Sequence, residues 1–333
     1  MAGPSNSKLV SSKLLLGKLG SLKLTPFVLL LLAIGAGISY RNAGTTTWVM
    51  ALPLFLVALN IFAAVLTNPK FHRSRPLLVF HLALIAIVLL VALGRLTYLK
   101  GHTELTEGQE FASLSAEVEQ GPWHRGKLSQ VSFVNEGFSV KYAPGIKIEN
   151  IENAVRWRDE DGREQHGVIG SLAPLTLYGY KFYPSSNKGF APTFIWHPAA
   201  GGPPILGAVH LPAYPSHEYK QALAWTPPGS KTALWVMLQF DEVILDPQRP
   251  SEFRAPNQYQ LIVRYGDERR ELKPGESIRL EEGVLEYNGL RNWMGYAIFY
   301  DFTLPWLLAA STLAVVSMAV YFWGKFSVRA WDK

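Results

Sequence analysis

The sequence predicts a membrane protein with four transmembrane α-helices and a large, mainly-β extracytoplasmic domain, a sandwich or open barrel, inserted between helices 3 and 4. Three observations predict it. Four segments have the roughly 17–25 apolar residues needed to cross a bilayer. Charge is unevenly divided: residues 1–100 contain ten Lys/Arg and no Asp or Glu, whereas residues 101–300 hold 19 Lys/Arg against 24 Asp/Glu. Between the third and fourth apolar segments, short β-favouring runs alternate with turn residues.

The first span is expected from about Leu22 to Tyr40, with Lys23 at its edge. Ala33 and Ala36 stand at the spacing of a signal-peptide cleavage site, but further spans follow at once, so a retained helix is expected. The second runs from about Trp48 to Leu66 and the third from about Leu77 to Leu93, with Arg95 and Tyr98 able to reach the far interface. The fourth runs from about Phe302 to Trp323, with Trp306 and Trp323 near its ends as interfacial anchors. Before the first span, residues 14–22 mix leucine with lysine. They read either as an amphipathic stretch in the inner interface or as the ragged start of the span.

Loop charge sets the orientation. Lys8, Lys13, Lys18 and Lys23 precede the first span, Lys70, Arg73 and Arg75 join the second to the third, and Lys325, Arg329 and Lys333 follow the fourth. The alternate loops carry only Arg41 on one hand, and Arg95 and Lys100 on the other. The positive-inside rule therefore puts both termini in the cytoplasm and residues 101–300 outside, in the periplasm of a Gram-negative cell. The chain divides into a cytoplasmic or interfacial N-terminus (1–21), a three-helix membrane region (22–100), a β-rich outer domain (101–300), a fourth membrane helix (301–324) and a cytoplasmic tail (325–333).

In the outer domain, Val131–Val134 and Phe138–Tyr142 flank Asn135-Glu136-Gly137, which reads as a hairpin turn. Ala154–Trp157 runs into a second turn at Asp159–Gly162. Leu175–Tyr183, Leu234–Phe240 and Tyr259–Tyr265 read as strands, the last ending in a turn at Gly266-Asp267. Residues 184–228 are dense in Pro and Gly, and no regular element stands out there. They read either as a long functional loop or, the favoured reading, as cover for the sheet.

Composition excludes several chemistries. Apolar residues make up 48% of the chain and charged ones 17%, against roughly 25% in a soluble average, so a small soluble enzyme and a disordered chain are both excluded. The pI near 9.3 arises from bases around apolar runs, and no nucleic-acid partner is expected. There is no cysteine, hence no disulfide, thiolate metal site or thioether-linked haem on this chain. No phosphate-binding loop or nucleophile elbow is present. Glu281-Glu282 and Asp159-Glu160-Asp161 read as solvated turn charge.

Histidines remain. His102, His124, His166, His197, His210 and His217 lie in the outer domain, none paired at helical metal-site spacing. His72 sits in the basic inner loop. His81 lies about one turn inside the third span, roughly 5–8 Å from its cytoplasmic start. An intramembrane ionisable group is a functional candidate by default, and a neutral imidazole suits axial ligation of haem iron because it needs no counter-charge. The other reading of His81 is a hydrogen bond to a neighbouring helix, or a position wet enough at the interface.

Several motifs carry a resemblance. Leu19-Gly20-Ser21-Leu22-Lys23-Leu24 opens span one, Trp48 begins span two, and Phe80-His81-Leu82-Ala83-Leu84 lies in span three. Leu105-Thr106-Glu107-Gly108-Gln109-Glu110-Phe111, Ala173-Pro174-Leu175 and Tyr178-Gly179-Tyr180-Lys181-Phe182-Tyr183 follow. Together they resemble the ResB (CcsB-like) family of system II cytochrome c biogenesis, here as a short member. The resemblance implies an accessory, non-catalytic subunit in the inner membrane, working with a CcsA-like membrane protein to deliver haem to apocytochrome c. It implies that His81 matches the family's intramembrane histidine, an axial ligand to transiently bound haem b. Leu172-Ala173 and Asp301-Phe302-Thr303 depart from the family's usual residues. A second function class is a non-haem, membrane-anchored scaffold whose outer β domain docks redox or envelope proteins.

Overall fold

The computed structural model describes residues 16–41, 47–159, 161–217 and 220–327. Lys8, Lys13, Arg329 and Lys333, four of the bases expected on the inner side, lie outside them, as does the start of the leucine–lysine stretch. The chain falls into two compact units. One comprises the residues up to Leu99, the segment Glu119–Arg125 and the residues from Tyr300; the other comprises Lys100–Val118 and Gly126–Phe299.

The first unit is helical: α1 (Leu24–Arg41), α2 (Trp48–Thr67), the short α3 (Pro69–Arg73), α4 (Arg75–Thr97) and α5 (Leu304–Phe326). Four of these are long and apolar enough to cross a membrane. Each lies within a few residues of its expected span. The largest change is in α4, which runs on past Leu93 to Thr97 and also begins slightly earlier, at Arg75, where Pro76 suits a first helical turn. Leu52, Leu56, Leu82, Leu89, Val315 and Phe322 point away from the other helices, as a lipid-facing surface requires.

Neighbouring helices pack α1 on α2, α2 on α4 and α4 on α5. Small residues let them close, as expected where no hydrophobic force separates helix from lipid. A Cβ at Gly35 would come within 2.5 Å of the Val49 carbonyl oxygen, and one at Gly94 within 2.9 Å of Thr303 Oγ1.

The second unit is mainly β. The strands begin with β1 (Leu99–Thr106), β2 (Glu117–Gln120), β3 (Phe133–Ala143), β4 (Lys147–Arg158) and β5 (Glu164–Ile169). They continue with β6 (Leu175–Leu177), β7 (Tyr180–Pro198), β8 (Ile205–Ala208), β9 (Ala222–Trp225) and β10 (Leu234–Gln239). The last are β11 (Ser251–Glu252), β12 (Gln260–Tyr265), β13 (Glu268–Leu272), β14 (Ser277–Leu280) and β15 (Gly283–Tyr300). Among the described residues they form one seven-stranded and two four-stranded sheets. The large sheet runs β2-β1-β15-β7-β6, with β14 and β8 at its margins; the others run β13-β12-β10-β9 and β11-β3-β4-β5. Phe133 of β3 lies 5.0 Å from the Phe182 ring of β7 and 5.6 Å from the Tyr296 ring of β15, tying two sheets through one aromatic core.

Three sequence expectations change here. Asn135-Glu136-Gly137 is no hairpin: β3 runs straight through it with a bulge, Gly137 taking φ +123°. The run Leu175–Tyr183 is no single strand, because Tyr178 and Gly179 both have positive φ and turn β6 back onto β7. The Pro- and Gly-rich stretch 184–228 contains most of the 19-residue β7, together with β8 and β9. Within β7, Pro184 and Pro192 stand where the register with β15 is irregular, near Met294/Tyr296 and Tyr287/Gly289, and Pro198 ends the strand.

Candidate functional site

The helical unit builds the site around His81 from two adjacent segments. α2 ends at Thr67, and Asn68 caps the next turn by accepting the Lys70 N–H at 3.0 Å. With Pro69 opening it, the five-residue α3 folds back and delivers Phe71 to α4. Phe71 packs with Ile61, Leu78 and Val88 against Ala58, Val65 and Ile85, so its ring is fixed by apolar contact. The Phe71 and His81 ring centroids lie 4.3 Å apart, and Phe80 meets the imidazole edge-on at 5.2 Å.

His81 Nδ1 lies 2.7 Å from the Leu77 carbonyl oxygen, one turn earlier on α4. A carbonyl only accepts, so Nδ1 carries the proton and the Nε2 lone pair is left for another partner. A backbone-anchored Nδ1–H with an available Nε2 is the arrangement found in metal-ligating histidines. The half-buried ring therefore fits an axial ligand to haem iron. It also accounts for the first of the two sequence readings in part: a hydrogen bond exists, but to its own helix rather than to a neighbour. Among the described residues no three His, Asp or Glu side chains converge on a metal position, so His81 stands as a single donor.

The other histidines serve local contacts. His102 pairs with Glu117 at 3.0 Å on the surface, and His166 lies between Glu136 (3.2 Å) and Glu164 (3.3 Å). His197 meets Glu286 at 3.3 Å. His210 lies 3.0 Å from Glu104 and 2.9 Å from Thr106 Oγ1, stacked on Trp293. The His217 carbonyl accepts from the Gln221 amide, and His72 is exposed on α3. The two acidic runs are equally local: Glu282 accepts from Ser230 Oγ and the Lys231 N–H, and Asp159 Oδ1 accepts the Asp161 and Arg163 N–H groups. The Ser230 hydroxyl and Lys231 N–H hold the Glu282 carboxyl below the usual carboxylate range, and the Gln165 amide, which donates to Asp159 Oδ2, does the same for Asp159 together with the Arg163 N–H.

Sequence reasoning missed three groups that hold the helical unit in shape. Asn60, buried in α2, accepts from Thr25 Oγ1 at 2.8 Å and donates to the Leu19 carbonyl at 2.6 Å. A Cβ at Gly20 would reach within 2.7 Å of Ala64 N. The Leu19–Leu24 motif is thus the stretch that clamps onto α2, and the lone polar residue in an apolar span was the available signal. At the start of α5, Asp301 Oδ1 accepts from Thr303 N (2.9 Å) and Oγ1 (2.7 Å), beside Gly94. The third group, Glu119–Arg125, was assigned to the outer domain but packs with the helices. Trp123 N donates to the Leu96 carbonyl and its ring meets Trp48 at 5.5 Å; His124 Nδ1 lies 2.8 Å from the Thr97 carbonyl.

With this geometry in place, comparison with known families is decisive for one stretch. Residues 72–202 match the ResB-like family. The matched stretch opens at His72, takes in the whole of α4 with His81, and ends just beyond β7. It bears out the resemblance read from the motifs, and the ResB-like family is associated with cytochrome c biogenesis. No curated protein matches the chain.

Proposed function

We propose that this chain is an accessory membrane subunit of a system II cytochrome c biogenesis complex, acting with a CcsA-like membrane protein to deliver haem to apocytochrome c. The observation that carries the reading is the ResB-like match, because it includes His81. The orientation follows from charge: Lys18, Lys23, Lys70, Arg73, Arg75 and Lys325 stand where α1 begins, α2 gives way to α4, and α5 ends. In this reading that side is the cytoplasm of a Gram-negative cell. The β-rich unit is then a periplasmic domain inserted between the third and fourth spans.

His81 would hold haem b near the inner face through Nε2, with Nδ1–H fixed on Leu77. Haem b, when bound, supplies the vinyl groups to which apocytochrome thiols add. The chain's own part is to bind and orient. Phe71 and Phe80 restrict the imidazole plane. With no cysteine in the sequence, and no three His, Asp or Glu side chains converging among the described residues, attachment itself is assigned to the partner.

Expression in a host stripped of other maturation systems tests this. The chain alone should leave a reporter cytochrome c without covalent haem, and co-expression with its cognate CcsA-like protein should mature it. Maturation by the single chain would overturn the accessory role.

A further inference from the structure

The four-stranded sheet β11-β3-β4-β5 is incomplete on one side. β4 has 12 residues, but β5 pairs only with Asn153–Arg158; after Ile169 the chain turns away through Gly170, whose N–H bonds the Ala173 carbonyl. On the opposite side β3 pairs along β4 as far as Lys147. Among the described residues, Lys147–Glu152 therefore has a strand on one side and none on the other. The space where β5 would continue is a gap of about 440 Å³, lined by Ile148, Glu149, Glu152, Val168 and Leu172 among others.

Two features mark this edge. The apolar side chains around it are bare: Leu172 is 99% exposed, Val168 66% and Ile148 41%. By contrast β13, also an edge strand, is blunted by Glu268, Arg269, Arg270 and Glu271 in mutual ion pairs. Among the described residues, the only charged side chains lining the gap are Glu149 and Glu152, with Lys147 just outside it. A bulge near Glu149 bends the strand there.

We propose that this gap is a docking site for an extended, lysine-rich peptide segment of a partner protein, which adds to β4 as a strand in line with β5. Backbone pairing with Lys147–Asn150 holds it, short of Ile151, whose carbonyl Gly170 already covers. Its basic side chains, on the outward face that Glu152 shares with Val168, meet Glu149 and Glu152 and lay their alkyl stems on Val168, and its alternate apolar side chains cover Ile148 on the other face. A second copy of this chain suits the gap poorly, since symmetric antiparallel pairing centred between Asn150 and Ile151 would set Glu149 of each copy against Glu152 of the other. The proposal does not rest on haem binding.

The test uses the full chain in nanodiscs of zwitterionic lipid and fluorescein-labelled Lys-Val-Lys-Val-Lys-Val-Lys, with Glu-Val-Glu-Val-Glu-Val-Glu as its charge-reversed control. The lysine peptide should bind saturably and the glutamate peptide weakly. The double variant Glu149→Lys/Glu152→Lys, both exposed positions, should retain its circular dichroism and reverse the preference, each affinity moving about tenfold or more. N-methylating the alternate amides on one peptide edge should abolish binding, while methylating the other edge should leave it within about twofold. Absent saturable binding, indifference to charge reversal, or equal loss from methylating either edge would overturn the proposal. So would a dimer that dissociates in Leu172→Glu and is untouched by the peptide, since that would make a second copy the occupant.

Discussion

Lys188 is only 1% exposed, its ammonium donates to the Tyr142 hydroxyl, and it lies 4.9 Å and 5.3 Å from the Tyr142 and Phe253 ring centroids. Burial without an opposite charge pushes Lys188 down to about 8, and burial pushes Tyr142 up to about 12. Between pH 8 and about 10 the unfolded chain then binds more protons at this lysine than the folded one, so stability should rise with pH across that window. Above about pH 10 the sign reverses, because Tyr142, Tyr287 and Tyr296 keep their protons when folded and lose them when unfolded. The thermal midpoint of the β-rich unit should therefore climb from pH 7.5 to 9.5 and fall beyond. Lys188→Met/Tyr142→Phe, which removes the ammonium and its acceptor together, should flatten the climb and leave stability at pH 7.5 unchanged or higher by about 1 kcal/mol. A midpoint that falls from pH 7.5 to 9.5 in the wild type would contradict the assignment.

Among the elements, the bulge in β3 organises a buried amide network. Asn153 Nδ2 donates to Asn135 Oδ1 at 2.8 Å and to the Gly137 carbonyl, and Asn153 Oδ1 accepts from the Tyr296 hydroxyl at 2.8 Å. Asn153→Ala strands the Tyr296 hydroxyl and removes one of the two donors to Asn135 Oδ1, the Gly137 N–H remaining, and should cost about 2–3 kcal/mol in denaturant unfolding. Tyr296→Phe leaves only Asn153 Oδ1 unpaired and should cost about 1–2 kcal/mol. Equal, negligible losses from both would show that the network carries no stability. The same bulge explains part of what the sequence hid. Asn-Glu-Gly serves a hairpin or a bulge equally well, and only the partner strand β4 decides between them. Tyr178-Gly179 hid the opposite way, a two-residue turn inside an unbroken aromatic run. Prolines 184, 192 and 198 argued against a strand, yet the first two stand beside irregularities in the register with β15 and Pro198 is the last residue of β7. The helices were legible because each satisfies its backbone hydrogen bonds internally, so length and apolarity suffice. The Phe71 contact was not, since it depends on a five-residue helix folding back.

For the whole molecule, the charge distribution predicts one topology. A reporter active only in the cytoplasm should work when fused after Arg75 and fail after Lys100; activity at Lys100 would invert the orientation and move His81 to the outer face. His81 itself was legible as the single histidine within an apolar span, but its tautomer was not, because that depends on the Leu77 carbonyl. The central claim is that Nε2 of His81 ligates haem. It is tested most directly by pyridine haemochrome content per mole of detergent-purified complex, with His81→Ala compared to wild type, His102→Ala and His124→Ala. Ligation predicts selective haem loss in His81→Ala at nearly normal protein level, with cytochrome maturation partly restored by exogenous imidazole, and little haem loss in the two controls. Unchanged haem in His81→Ala would contradict the assignment and leave His81 as a structural residue worth on the order of 1 kcal/mol.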